Sequence, residues 1–117
     1  NLLENGLIAD QTETLKTTEN RLPLTYKLFE KDALVFKKLE SKSLTIIEKE
    51  NPILKVCFED FPSLGIWTKI GAPFLCIEPW FGYSDTTEST GNLFEKEGII
   101  VLKENDNFQA KFSIEIL

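Results

Sequence analysis

The residues best suited to chemistry lie in one run, Ala72-Pro73-Phe74-Leu75-Cys76-Ile77-Glu78-Pro79-Trp80-Phe81-Gly82-Tyr83. Read as a strand from Phe74 to Trp80, period two puts Phe74, Cys76, Glu78 and Trp80 on one face. Leu75, Ile77 and Pro79 make the other, a plain hydrophobic surface. Glu78 is therefore a carboxylate among apolar neighbours. Ionised carboxylates are costly to bury, and enzymes use such settings to make general bases and acids. Pro79 cannot donate a ladder hydrogen bond, so the strand must end or bulge there, leaving Glu78 near a strand mouth lined by Trp80, Phe81 and Tyr83. Aromatic rings beside a carboxylate suit a sugar, whose C–H faces stack on rings while its hydroxyls seek carboxylates. The residue types are equally compatible with a structural arrangement in which Glu78 pairs with a lysine and the aromatics fill a core.

The elements that would hold this run are short and β-type, each closed by a turn signal. Strands are predicted over Ala33–Leu39, Ser43–Glu48, Ile53–Phe58, Leu64–Lys69, Phe74–Trp80, Gly98–Leu102 and Phe108–Leu117, with turns at Asn51-Pro52 and Asn105-Asp106-Asn107. In the last strand Phe108, Ala110, Phe112, Ile114 and Ile116 alternate with polar residues, the pattern of a strand with one buried and one wet face. Only Leu24–Glu30 and Thr86–Phe94 could carry a turn or two of helix, and Gly91 interrupts the second. Trp67, in Gly65-Ile66-Trp67-Thr68, is expected in the core. Regular short strands argue for an all-β, antiparallel sandwich or barrel-like sheet.

Composition narrows the function classes. The 117 residues are 42% hydrophobic and 27% charged, the balance of a folded chain with room for one domain or part of one. Lys plus Arg number 13 against 19 Asp plus Glu, a net charge of -6, and Arg21 is the sole arginine. The clustered cations that phosphate backbones require are absent, so nucleic acid and anionic membranes are not expected partners. Apolar runs such as Pro73–Pro79 are too short to cross a bilayer. Cys57 and Cys76 are expected as reduced thiols in a cytoplasmic setting. With no histidine in the chain, neither a zinc site nor a Ser-His-Asp triad can be assembled from it. Met is also absent, even at position 1, and the chain is expected to be a segment of a longer polypeptide.

The run at positions 72 to 82 resembles the signature of the LacX-like branch of the aldose 1-epimerase (galactose mutarotase) family. Leu28-Phe29-Glu30-Lys31-Asp32-Ala33-Leu34-Val35-Phe36, Phe61-Pro62-Ser63-Leu64-Gly65-Ile66-Trp67 and Glu95-Lys96-Glu97-Gly98-Ile99 are similar to the same branch, in the same order. The resemblance implies the C-terminal part of a galactose mutarotase-like β-supersandwich, with residues 1–117 forming one segment of a single domain. It implies an isomerase that interconverts the α and β anomers of free hexoses without a cofactor or metal. Glu78 stands where the family has its base. Asp32 falls where the family has an aspartate that binds sugar hydroxyls, although a turn residue ahead of a strand would also be an aspartate. Trp80 is the expected stacking partner for the sugar. The family's catalytic histidines have no counterpart here, so the resemblance requires the acid to come from an upstream part of the same protein. The alternative is a non-catalytic carbohydrate-binding β-sandwich.

Overall fold

The computed structural model describes residues 1–117 as eight antiparallel-paired strands with two single 3-10 turns and no α-helix. A small hairpin, β1 (Leu3–Glu4) and β2 (Leu7–Ile8), precedes the main body. One sheet has the order β3-β6-β7, from Leu34–Phe36, Ser63–Trp67 and Cys76–Trp80. The other has the order β4-β5-β8, from Ser43–Glu48, Asn51–Cys57 and Ser113–Ile116.

The core lies between these sheets. Leu64 and Ile66 of β6 meet Val56 of β5, with Phe29 and Phe58 completing the buried cluster. Leu34, Phe36 and Ile77 pack against it from the first sheet, and Leu44 and Leu54 from the second. The period-two rule explains the choice, because in β6 the even-numbered Leu64 and Ile66 face inward. Ser63, Gly65 and Trp67 therefore look out on the opposite face. Two sheets joined by one apolar layer constitute a β-sandwich, as the spacing of strands and turns leads one to expect. The core is small, since only eleven of 117 residues are buried.

The hairpin β4–β5 turns at Lys49 and Glu50, whose φ values of 48° and 67° make the primed turn that two-residue hairpins favour. Asn51-Pro52 is thus not the turn but the start of β5. Pro52 is tolerated there because β8 pairs with β5 only from Leu54 to Cys57, and the β4 ladder shifts register between Ile46 and Ile47.

Two further expectations require correction. Gly98–Leu102 is irregular rather than a strand. Leu24–Glu30 carries one helical turn, of 3-10 type, at Tyr26–Phe29, and a second, Leu93–Glu95, overlaps the end of Thr86–Phe94, in keeping with their weak helical pattern. The closing strand is confined to Ser113–Ile116, and its apolar face is open to solvent. Phe108, Phe112, Ile114 and Ile116 are 46%, 54%, 59% and 86% exposed. The alternation was legible, but burial needs an opposing surface, and the facing sheet does not reach that far.

Candidate functional site

β7 delivers Cys76, Glu78 and Trp80 to the outward face of the β3-β6-β7 sheet, while Ile77 faces the core. Its partner β6 aligns Gly65 with Glu78, Trp67 with Cys76 and Ser63 with Trp80. The outward face thus presents Trp67, Glu78 and Trp80 as neighbours. The Trp67 indole Nε1 donates to Glu78 Oε1 at 2.8 Å. Trp67 in turn meets the Phe74 ring edge-on, with centroids 5.6 Å apart. Trp67 is therefore a surface group that orients the carboxylate, not the core residue expected. Period two in Gly65-Ile66-Trp67 places it opposite Ile66, but only the register with β7 shows that it lands beside Glu78.

The six-membered ring of Trp80 sits directly against Gly65. A Cβ on Gly65 would stand 2.5 Å from Trp80 Cζ2 and 2.6 Å from Cη2, so a side chain at position 65 and the ring in its present place are incompatible. Gly65 is a second residue of the site that sequence reading passes over. The indoles of Trp67 and Trp80 flank Glu78 along the sheet face, and all three are accessible in part.

The electrostatics around Glu78 are simple. None of the ion pairs includes Glu78, so the lysine pairing open from sequence is not formed. The Cys76 thiol is pushed above its ordinary pKa, first by desolvation, then by the negative charge and hydrogen bonding of Glu78. Cys57 and Cys76 are both free thiols, as expected. No group of three or more potential metal-ligating side chains is present.

Beyond β7, the loop from Phe81 to Gly98 is tied back to β3. Lys37 Nζ is 2.9 Å from Glu97 Oε2 and 5.4 Å from the centroid of the Tyr83 ring. Desolvation, and then the hydrogen bond to Glu97, raises the Tyr83 hydroxyl to about 12. Hydrogen bonds from Lys37 and Tyr83 hold Glu97 below its usual value. Ser63 Oγ donates to Lys37 O at 2.7 Å, which keeps Lys37 in the same cross-strand row as Ser63 and Trp80. Gly98, at φ 81°, passes close under the loop; a Cβ there would lie 3.1 Å from Phe81 O.

Asp32 sits apart. It precedes β3 with φ 86°, and its Oδ1 accepts from the Ala33 N–H at 2.7 Å. It lines a cleft of about 390 Å³ together with Leu2, Leu28, Lys31 and Val35, and neither Glu78 nor Trp80 lines that cleft. β3 is separated from β7 by β6. Val35 is level with Glu78 through Gly65, so Asp32 lies two strand spacings across the sheet, roughly 10 Å, and three residues further along the chain. The structure brings Glu78 and Trp80 together and leaves Asp32 at the far side, engaged in a turn.

No helix is long and apolar enough to cross a membrane. No protein-family model matches the chain, and no solved structure matches it with significance. Two curated relatives do. The chromosomal LacX protein of Lactococcus lactis subsp. lactis is 35% identical over 97% of this chain, and the plasmid LacX protein of the same organism is 34% identical over the same share. The chain spans 39% of the length of each. An all-β sandwich and a match running through almost the whole chain agree with the resemblance carried by its motifs: over 97% of its length the chain is similar to the LacX proteins.

Proposed function

We propose that this chain supplies the base and one sugar-stacking wall of an aldose 1-epimerase-like isomerase that interconverts the α and β anomers of free hexoses. The observation that carries the reading is Glu78, half-buried between Trp67 and Trp80, with one oxygen fixed by an indole N–H and no cation paired to it. A fixed carboxylate on an aromatic face can accept the proton of an anomeric hydroxyl. Loss of that proton lets the C1–O5 bond break, giving the open-chain aldehyde. Rotation about C1–C2 then presents the other carbonyl face to the O5 hydroxyl, and ring closure takes the proton back from Glu78. The ring oxygen must be protonated as the ring opens. With no histidine in this chain, the reading assigns that acid to a histidine from the part of a LacX-length polypeptide that the chain does not span.

Trp80 would stack on the sugar ring, and Asp32 would bind a hydroxyl from across the sheet. The proton transfers need neither a cofactor nor a metal, and a cytoplasmic setting with reduced Cys57 and Cys76 suits the reading. The test is polarimetry of freshly dissolved α-D-glucose and α-D-galactose. The protein for it is a LacX-length polypeptide in which this chain replaces the stretch of Lactococcus LacX that it matches. Acceleration of mutarotation supports the isomerase. Sugar binding without acceleration would favour the non-catalytic carbohydrate-binding sandwich, and no interaction with sugar would overturn both.

A further inference from the structure

The partner that orients Glu78 is itself held from outside the site. The Trp67 indole donates to Glu78 Oε1 at 2.8 Å, yet Trp67 is 36% exposed and points away from the core that Leu64 and Ile66 enter. Core packing therefore does not set the angle of its ring. Phe74 meets that ring edge-on, with centroids 5.6 Å apart and an interplanar angle of 87°. Phe74 is 46% exposed and lies beyond the ladder, since β6 and β7 pair only as far as Trp67 and Cys76. Its place is fixed through its backbone. The hydroxyl of the buried Thr68 donates to Phe74 O and so carries the link between the strands one step past the last rung. The connection itself is tight. Ala72 N–H donates to Lys69 O at 2.9 Å across a turn in which Gly71 takes a φ of 82°, and the Tyr26 hydroxyl donates to Ala72 O at 3.0 Å.

We propose that Thr68 and Phe74 are positioning residues for Glu78, acting through Trp67. The contacts run without a gap: hydroxyl to carbonyl, ring edge to indole, indole N–H to carboxylate. Each link limits a different freedom. Thr68 fixes the backbone of Phe74, and the Phe74 ring blocks rotation of the indole. The indole N–H then selects the plane of a carboxylate whose last torsion is otherwise broad. The Cys76 thiol also bonds to Glu78, but a thiol is a weak donor and leaves the orienting to the indole. Orientation matters because proton transfer demands close geometry, and a displacement of about 1 Å can cost on the order of a hundredfold in rate. The inference deepens the proposed function, and its effect on rate rests on Glu78 being the base. The brace itself is a matter of geometry within this chain, so it can be tested apart from any activity.

The test replaces each outer link in the LacX-length chimera. Phe74→Ala removes the ring, and Thr68→Val removes the hydroxyl at nearly constant shape. Phe74→Tyr and Thr68→Ser keep the ring and the hydroxyl. The first readout is the Trp67 indole N–H resonance in isotope-labelled protein, assigned by its loss in Trp67→Phe. The hydrogen bond to Glu78 should hold it downfield, and Glu78→Ala should move it upfield. Phe74→Ala and Thr68→Val should move it the same way, while Phe74→Tyr and Thr68→Ser leave it in place. The second readout is mutarotation. Phe74→Ala and Thr68→Val should lower kcat by about tenfold to a hundredfold at near-constant KM, and in a Trp67→Phe background neither should lower it further. An unmoved resonance in both variants would overturn the proposal, as would rate losses of the same size with and without the Trp67 indole. A resonance that moves at unchanged kcat, in a chimera that Glu78→Gln inactivates, would overturn it too. If Thr68→Val fails to fold, Phe74→Ala carries the test, since its side chain stands half in solvent. If the chimera fails to fold, the resonance is read in the 117-residue chain, which holds the whole brace. A chimera without mutarotation, or near-full activity in Glu78→Gln, would defeat the proposed base and leave the resonance to decide the brace.

Discussion

Gly65→Ala isolates the contact that shapes the aromatic wall. The added Cβ would lie 2.5 Å from Trp80 Cζ2, 2.6 Å from Cη2 and 3.0 Å from Cε2. Ordinary carbon contacts begin near 3.5 Å, so the indole must retreat by roughly 1 Å or swing to another rotamer. Trp80 is rigid and Gly65 belongs to β6, whose Leu64 and Ile66 are locked in the core, so the strand cannot yield instead. Overpacking of this kind typically costs about 1–3 kcal/mol. Replacing a strand glycine gains back about 0.5–1 kcal/mol of backbone entropy, leaving a net loss of up to about 2.5 kcal/mol. The assay is urea unfolding followed by tryptophan fluorescence, with near-UV circular dichroism to report the ring's position. Trp80→Leu supplies the control: in that background Gly65→Ala should become neutral or stabilising, giving a coupling energy of about 1 kcal/mol or more. Equal stability of Gly65→Ala and the parent, with an unchanged near-UV spectrum, would refute the claim that Trp80 rests on the bare backbone of β6.

Three further outcomes follow from the site. Asp32 is in the left-handed region and holds the Ala33 N–H. Asp32→Ala in the chimera should cost about 1–2 kcal/mol from the lost hydrogen bond, while an added rise in KM for sugar would show the ligand role; a shift in Tm with unchanged KM would make it a turn residue alone. Glu97 has its folded pKa depressed, first by the hydrogen bond from Lys37. The stability it contributes should be present at neutral pH and lost as pH falls through the ordinary glutamate range and below, and Lys37→Met should remove much of that dependence; identical acid-unfolding curves for Lys37→Met and parent would contradict it. Cys76 is raised above the normal thiol value by desolvation and by Glu78, so in a Cys57→Ser background Glu78→Gln should speed alkylation of Cys76 at neutral pH, and an unchanged or slower rate would place the carboxylate elsewhere.

Much of the architecture was legible because it depends on period two. The alternation in Phe74–Trp80 assigns Cys76, Glu78 and Trp80 to one face and Ile77 to the other, as found, and Ser43–Glu48 forms a strand with the bounds expected. Features that depend on register or on distant surfaces were not legible. Trp67 looked like a core aromatic because nothing local reveals that it stands opposite Cys76 and donates to Glu78. Gly65 looked like any strand glycine until Trp80 was found against it. Asn51-Pro52 is a strong turn signal that lost to the positive-φ pair Lys49-Glu50, one step earlier in the hairpin. The sequence from Phe108 to Ile116 specifies a face for burial; Phe108 and Phe112 find the rings of Phe81 and Phe61, while Ile114 and Ile116 stay largely exposed.

The central claim is that Glu78 acts as a base on a sugar hydroxyl, and Glu78→Gln tests it most directly. The amide keeps the size of the side chain, and its oxygen can still accept from Trp67 Nε1, so folding and sugar binding should be preserved. Basicity alone is lost. A positioned general base contributes roughly a hundred- to ten-thousandfold in rate. Polarimetry of α-D-galactose with the chimera should therefore show kcat falling by that order in Glu78→Gln, at unchanged Tm and sugar affinity. Near-full mutarotation by Glu78→Gln would contradict the account, and the carboxylate would then be a structural acceptor for Trp67.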